Sequence, residues 1–295
     1  MNRFSKLKKA FTAPVLTFLV IAFLPAWVLF LLPLFFGSPG SIEYQTTALV
    51  SWALAMWMPG IAALIVTRFV EKEKLTTLNL GKLGKKGIYF WAWFVPVIMV
   101  LITGLLTWAF GLGKFDSEFS IITDSLAQLP DDLPISPLVL LAVQIASSIT
   151  LAPLFNTLFA LGEELGWRGF LLPKLLPSGQ TEAILMSGII WGVWHAPAIL
   201  QGLNYPEYPI LGVFLMLVFT VLLGVFLSWL YLETRSPWAP ALAHGTINAV
   251  ASLPMLFFLE MDITWGGTIA SVTGWVSLAL VAAYLYWKKR IPVEK

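Results

Sequence analysis

Residues 209–231 read Pro-Ile-Leu-Gly-Val-Phe-Leu-Met-Leu-Val-Phe-Thr-Val-Leu-Leu-Gly-Val-Phe-Leu-Ser-Trp-Leu-Tyr, without a single charge. A helix crosses the hydrocarbon core of a bilayer with about 20 apolar residues, rising about 1.5 Å at each. In lipid the backbone must satisfy its own hydrogen bonds, so such a run takes the helical form. Working outward, seven further stretches read the same way, at about 14–36, 46–69, 88–111, 138–161, 183–202, 238–259 and 266–287. The expected fold is all-α, a polytopic membrane protein of about eight transmembrane helices. Pro25, Pro59, Pro96, Pro153 and Pro197 fall inside these stretches. Neighbouring helices can satisfy the backbone groups a proline frees, so the expectation stands.

Composition agrees. The chain is 58% hydrophobic and 12% charged, with a mean hydropathy of +0.83; soluble domains run near 45–50% apolar and about 25% charged. With no cysteine, a disulfide framework, a thiolate zinc site and a cysteine nucleophile are excluded. The first apolar run follows Arg3, Lys6, Lys8 and Lys9, is longer than a signal-peptide core, and lacks an A-x-A cleavage pattern. It reads as a retained first span.

Charge orients the spans. With the amino terminus in the cytoplasm, the inner side receives the four basic residues at the start and Arg68, Lys72, Lys74, Lys82, Lys85 and Lys86. Arg168, Lys174, Arg235, Lys288, Lys289, Arg290 and Lys295 fall there too, and only Lys114 falls outside. The outer side is acidic, with Glu43, Asp116, Glu118, Asp124, Asp131, Asp132, Glu207, Glu260 and Asp262. This is the positive-inside bias. The expectation is therefore a multi-pass protein of the cell membrane with both termini cytoplasmic. Its basic loops are topology determinants, so no nucleic-acid partner is implied. No linker divides the chain: residues 1–295 read as one integral membrane domain, and 138–259 as its catalytic core helices.

Ionisable groups inside a membrane are costly and mark functional sites. Both histidines of the chain, His195 and His244, fall inside expected spans, and Glu163-Glu164 ends another. Three short runs carry them: Glu163-Glu164-x-x-x-Arg168, Trp191-x-x-x-His195 and His244-x-x-x-Asn248. Adjacent residues on a helix point about 100° apart, so the two glutamates cannot face one point. Glu164 stands four residues before Arg168, the favourable order for an ion pair, and is assigned to holding it. Glu163 is left to face a cavity, where a carboxylate drawn partly out of water suits a general base. His195 is placed to share the water. His244 and Asn248 lie one turn apart on one face, and both can donate hydrogen bonds to an oxyanion. At these depths the groups meet in the inner half of the membrane, in a cavity opening to the cytoplasmic side. Zinc is the rival chemistry, since two histidines and one glutamate, here Glu163, His195 and His244, form a known catalytic ligand set. Zinc is the one cofactor in question.

The chain resembles the CPBP intramembrane proteases, the group that contains the CAAX prenyl protease type 2 and bacterial bacteriocin-processing and immunity-associated members. The resemblance rests on Glu163-Glu164-Leu-Gly-Trp-Arg168-Gly, Trp191-Gly-Val-Trp-His195 and His244-Gly-Thr-Ile-Asn248, and covers roughly 140–255. It implies a glutamate-and-histidine peptidase site, often classed with the metalloproteases, in which Glu163 and His195 activate water and His244 and Asn248 stabilise the oxyanion. Trp191 stands where the family usually has Phe, which is expected to tune cavity packing. The implied partners are the lipid bilayer and a peptide or lipidated-protein substrate, of which prenylated CAAX tails are one class. Oligomeric state is unknown from the sequence.

Two other functions compete. A proton- or ion-coupled transporter would use the same groups as a relay, but transporters tend to repeat their halves, and here every such group lies in the second half. A non-catalytic bacteriocin immunity protein would carry the site as a relic. The remaining features read as structure. Gly162/Gly166 and Gly188/Gly192 are small-x-x-x-small pairs for close helix packing. Trp167, Phe170, Leu171 and Leu172 are expected at the inner interface as anchors, or as a lip where a lipidated peptide enters. Ser147, Ser148 and Thr150 are expected to hydrogen-bond between helices.

Overall fold

The computed structural model describes residues 10–127 and 136–291. Helix α1 (Ala13–Leu31) runs through Pro25 unbroken and ends in a 3₁₀ turn. Helix α2 (Ile42–Ala55) starts at Ser41, whose Oγ accepts from the Tyr44 N–H. A break at Met56 and Trp57 precedes α3 (Met58–Ile65), which runs into a π-turn at Val66–Val70. Next come α4 (Ile88–Ala109), strand β1 (Lys114–Phe115) and the short α5 (Ser120–Leu126). Helices α6 (Pro137–Thr150) and α7 (Ala152–Glu164) meet at a 41° bend. A π-turn at Leu165–Leu171 carries α7 into α8 (Leu172–Leu175). Helices α9 (Gln180–Trp194) and α10 (Ala196–Ile199) follow, then α11 (Pro209–Thr234) and α12 (Trp238–Val250). Strand β2 (Phe258–Leu259) pairs antiparallel with β1, and α13 (Val272–Trp287) ends the described chain.

Among the described residues, four helical stretches are long and apolar enough to cross a membrane: Ala13–Phe35, Ile42–Val70, Ile88–Ala109 and Pro209–Thr234. The bent stretch from Pro137 to Ser178 makes a fifth if taken as one span. This is a multi-pass, all-helical membrane protein. The expected spans at 183–202, 238–259 and 266–287 are shorter than their apolar runs. Their helices are Gln180–Trp194, Trp238–Val250 and Val272–Trp287. Proline is part of the reason. Pro25 and Pro96 stay inside continuous helices, but Pro59, Pro153 and Pro197 each open a new segment just after a break. Proline lacks an N–H and crowds the turn before it.

Glycine sets how closely the site helices approach. A Cβ added at Gly245 of α12 would lie 2.5 Å from the Thr157 nitrogen of α7, and one at Gly162 would lie 2.7 Å from the Met56 oxygen. Gly166 faces Pro59 in the same way, while Gly188 and Gly192 face Val221 and Leu217 of α11. Both expected glycine pairs are therefore packing devices. Thr150, by contrast, donates to Ala146 O of its own helix rather than across to another.

The helices place the two kinds of loop at opposite ends. One end gathers Arg68, Lys72, Lys74, Lys82, Lys85, Lys86, Lys174, Arg235, Lys288, Lys289 and Arg290. It is tied by Lys85–Glu233 at 3.1 Å, by Lys174–Glu71, and by the Trp238 indole donating to Leu80 O at 2.8 Å. The other end carries the β1–β2 pair and the 200–208 loop. There the Tyr44 hydroxyl meets Gln201 Oε1 at 3.0 Å, and the Tyr205 hydroxyl donates to Ala270 O at 2.8 Å. At this end the buried Asp116 accepts from Ser120 N–H at 2.5 Å and Glu118 N–H at 3.1 Å. Burial pushes its carboxyl up, but these bonds outweigh it and hold the group below the usual carboxylate range. The acidic residues expected at 131 and 132, and the termini at 1–9 and 292–295, lie outside the described residues.

Candidate active site

The three sequence runs arrive on α7, on α9 and on α12, and α12 packs most closely on α7. Glu163 stands on the last turn of α7, His195 at the junction of α9 and α10, and His244 and Asn248 one turn apart on α12. His195 does not lie within a continuous helix, as the apolar run implied. The helix stops at Trp194 because Pro197 follows, and the His195 N–H turns back to Gly192 O at 3.1 Å. Glu163, Trp191, His195, His244 and Asn248 line one cavity of about 800 Å³.

Glu164 and Arg168 lie behind that cavity. Both are fully buried, and Arg168 Nη1 donates to Glu164 Oε1 at 2.9 Å. The same oxygen accepts from His244 Nδ1 at 2.9 Å. Glu164 therefore fixes Arg168, as its spacing implied, and also the imidazole of a helix 80 residues away. Named in the sequence beside the catalytic groups, Glu164 does not reach the cavity wall.

Glu163 is held from the other side. Trp191 Nε1 donates to Glu163 Oε2 at 2.6 Å, and Trp167 Nε1 points at the same oxygen from 3.4 Å. The Trp191 ring lies among the remaining groups. The Arg168 Cζ is 4.5 Å from its centroid, and the His244 and His195 rings are 5.3 and 5.7 Å away. Trp191 was expected only to tune packing. Instead it supplies a hydrogen bond that a Phe has no atom to make.

The ring nitrogens can be assigned from their partners. His195 Nδ1 lies 2.9 Å from Trp191 O. A carbonyl only accepts, so Nδ1 carries the proton and Nε2 keeps its lone pair. His244 Nδ1 meets a carboxylate already paired with Arg168, so it too carries a proton, and Nε2 is its remaining nitrogen.

Trp167, Phe170, Leu171 and Leu172 are not interfacial anchors and form no lip. All four are buried, and Phe18 of α1 stacks on Phe170 at 4.8 Å and meets Trp167 edge-on at 5.8 Å. The π-turn after Glu164 carries this segment into the helix bundle. Such turns recur at functional sites.

The zinc expectation does not fit this arrangement. Among the described residues, no three His, Asp or Glu side chains come together in a way that could hold a metal ion. Glu163 Oε2 is occupied by indole donors.

Asn156 and Asn204, neither of them singled out in the sequence, also line the cavity. Asn156 lines the cavity from two turns before Glu163 on the same helix face, a seven-residue spacing visible in the chain. Asn204 lines it from a loop, where no periodicity could single it out. Among curated proteins, none matches the chain. Residues 138–250 match the family model described as type II CAAX prenyl endopeptidase, Rce1-like. That segment holds every cavity-facing ionisable group and the helices that carry them, and it is the part of the chain that is similar to the Rce1-like CAAX prenyl endopeptidases.

Proposed function

We propose that this protein hydrolyses a peptide bond of a membrane-associated substrate with a water activated by Glu163 and His195. The observation that carries the reading is the pairing of a cavity-facing carboxylate, oriented by the Trp191 N–H, with an imidazole whose Nε2 keeps its lone pair. The water is deprotonated as it attacks the carbonyl carbon, and the proton passes to Glu163 or His195. The carbonyl oxygen gains charge and receives hydrogen bonds from the Asn248 carboxamide and from His244 Nε2 in its imidazolium form. Collapse of the tetrahedral intermediate expels the amine, which takes the proton back. Glu164 and Arg168 act through His244 and through the end of α7, without touching the substrate. The bilayer is the working medium. Residues 138–259 form the catalytic core of a single domain 1–295 with eight crossings in the cell membrane and cytoplasmic termini. Prenylated tails are one substrate class the family match brings.

A positioned general base contributes about 10²–10⁴-fold. Glu163→Gln is expected to lower cleavage of a quenched, farnesylated C-terminal peptide in detergent by at least about 100-fold, with the protein still folded. Retention of activity within a few fold would sink the assignment of the base. If wild type and variant both leave that peptide intact, the prenylated class goes, and unprenylated membrane peptides become the substrates to assay.

A further inference from the structure

The cavity extends from Glu163 and His244 away from the basic loops. From the glutamate, the cavity is continued by Asn156 and Phe159 toward the start of α7, and by Ala48 to Trp57 in the first part of the α2–α3 stretch. Met216, Phe219 and Leu223 of α11, Leu203 and Asn204 of the 200–208 loop, and Phe30 at the far end of α1 also line it. Asn156, Phe159, Leu203, Asn204 and Phe30 lie between the site and the end bearing the β1–β2 pair, while Trp57 and Leu223 lie level with it, beside Gly162 and Gly224. No residue of the basic loops at 68–86, 174, 235 or 288–290 lines it. In that direction the way is filled by Trp167, Arg168, Phe170 and Leu171, all buried. The expected opening toward the basic loops is therefore not the one the lining residues describe. A wall also faces lipid. Leu49, Val50 and Leu54 of α2 line the cavity and are 75%, 57% and 52% exposed on the helix surface, and Phe159 of α7 is 42% exposed.

We infer that the active site is entered from the leaflet opposite the basic loops, and that its substrates are apolar peptide segments seated in that leaflet, admitted sideways between α2 and α7. Basic loops mark the cytoplasmic face, so cleavage takes place in the outer half of the membrane. The inference rests on the peptidase reading for its substrate, but the direction of opening stands on geometry alone.

The chain has no cysteine, so a single introduced thiol reports one position. Asn156→Cys places it inside the cavity, and Lys86→Cys places it on the basic face as a reference. Membrane vesicles of both orientations are treated with a membrane-impermeant maleimide. The expected result is modification of the thiol at 156 only in right-side-out vesicles and of the thiol at 86 only in inverted ones. Modification at 156 from the same side as at 86, or from neither side, overturns the proposal. In detergent, modification at 156 is expected to cut peptide cleavage at least tenfold relative to the same variant untreated, while modification at 86 changes it less than twofold. Cleavage that survives a full adduct at 156 overturns the cavity as the substrate route. If unmodified wild type cleaves no peptide in detergent, the peptidase reading fails, and the sidedness of labelling still decides the opening.

Discussion

Trp191→Phe keeps the ring that packs on Arg168 and both imidazoles, and removes one atom group, the indole N–H that meets Glu163 Oε2 at 2.6 Å. The bond is short and made to a group assigned as a carboxylate. The second donor on that oxygen, Trp167 Nε1, is at 3.4 Å and too distant to take its place. Hydrogen bonds to charged groups contribute about 1.5–3 kcal/mol, which converts to a rate loss of roughly 10- to 150-fold if the bond serves to aim the base. The loss should appear in kcat with KM nearly unchanged, because the carboxylate works on the attacking water and not on the bound peptide. The assay is steady-state cleavage of a fluorogenic peptide in detergent, with thermal unfolding as the control for folding. Trp167→Phe, deleting the longer contact, should cost less than about threefold. In a Glu163→Gln background the Trp191→Phe change should cost almost nothing, since the partner it aims is gone. A folded Trp191→Phe protein with kcat within twofold of wild type would refute the reasoning, and the indole would then be space-filling. Equal losses with and without Glu163 would refute it as well.

Glu164→Gln leaves Arg168 buried without its counter-charge. Breaking such a pair costs about 3–5 kcal/mol, so the melting temperature in detergent should fall well below that of Glu163→Gln. Gly245→Ala presses a methyl to 2.5 Å from the Thr157 nitrogen. Overpacking of this kind costs about 1–3 kcal/mol, to be read as a lowered melting temperature with activity falling in step as α12 is pushed from α7. Asp116 has its folded pKa held below the ordinary value of about 3.9. Its contribution is therefore complete above that value and disappears as pH drops through the folded pKa. The protection factors of the amides across 116–126, exchange rates corrected for their intrinsic pH dependence, should fall on acidification in the wild type, and should be lower and nearly constant over that range in Asp116→Asn.

The helical membrane class, the segregation of charge and the identity of the cavity-facing ionisable groups were legible in the chain itself. Each is a local property. An apolar run has to bury itself in lipid whatever its neighbours do, and only two histidines exist to be placed. The Glu164–Arg168 pair was legible for the same reason, since four residues along a helix bring two side chains to one face. What the tertiary structure decided depends on contacts between distant segments. His244 reaches Glu164 across 80 residues and Trp191 reaches Glu163 across 28. An indole in an apolar run carries no sign of where its N–H will point. Apolar length also overstated the helices, because it measures hydrophobicity and not continuity, and the breaks beside Pro59, Pro153 and Pro197 leave hydrophobicity unchanged. The burial of the 167–172 segment was least accessible of all. Charge assigns the two ends of a helix to two sides of a membrane, but which end is packed shut is settled by the side chains of other helices. Here that is Phe18 of α1 stacked on Phe170 and set edge-on to Trp167 beneath the site.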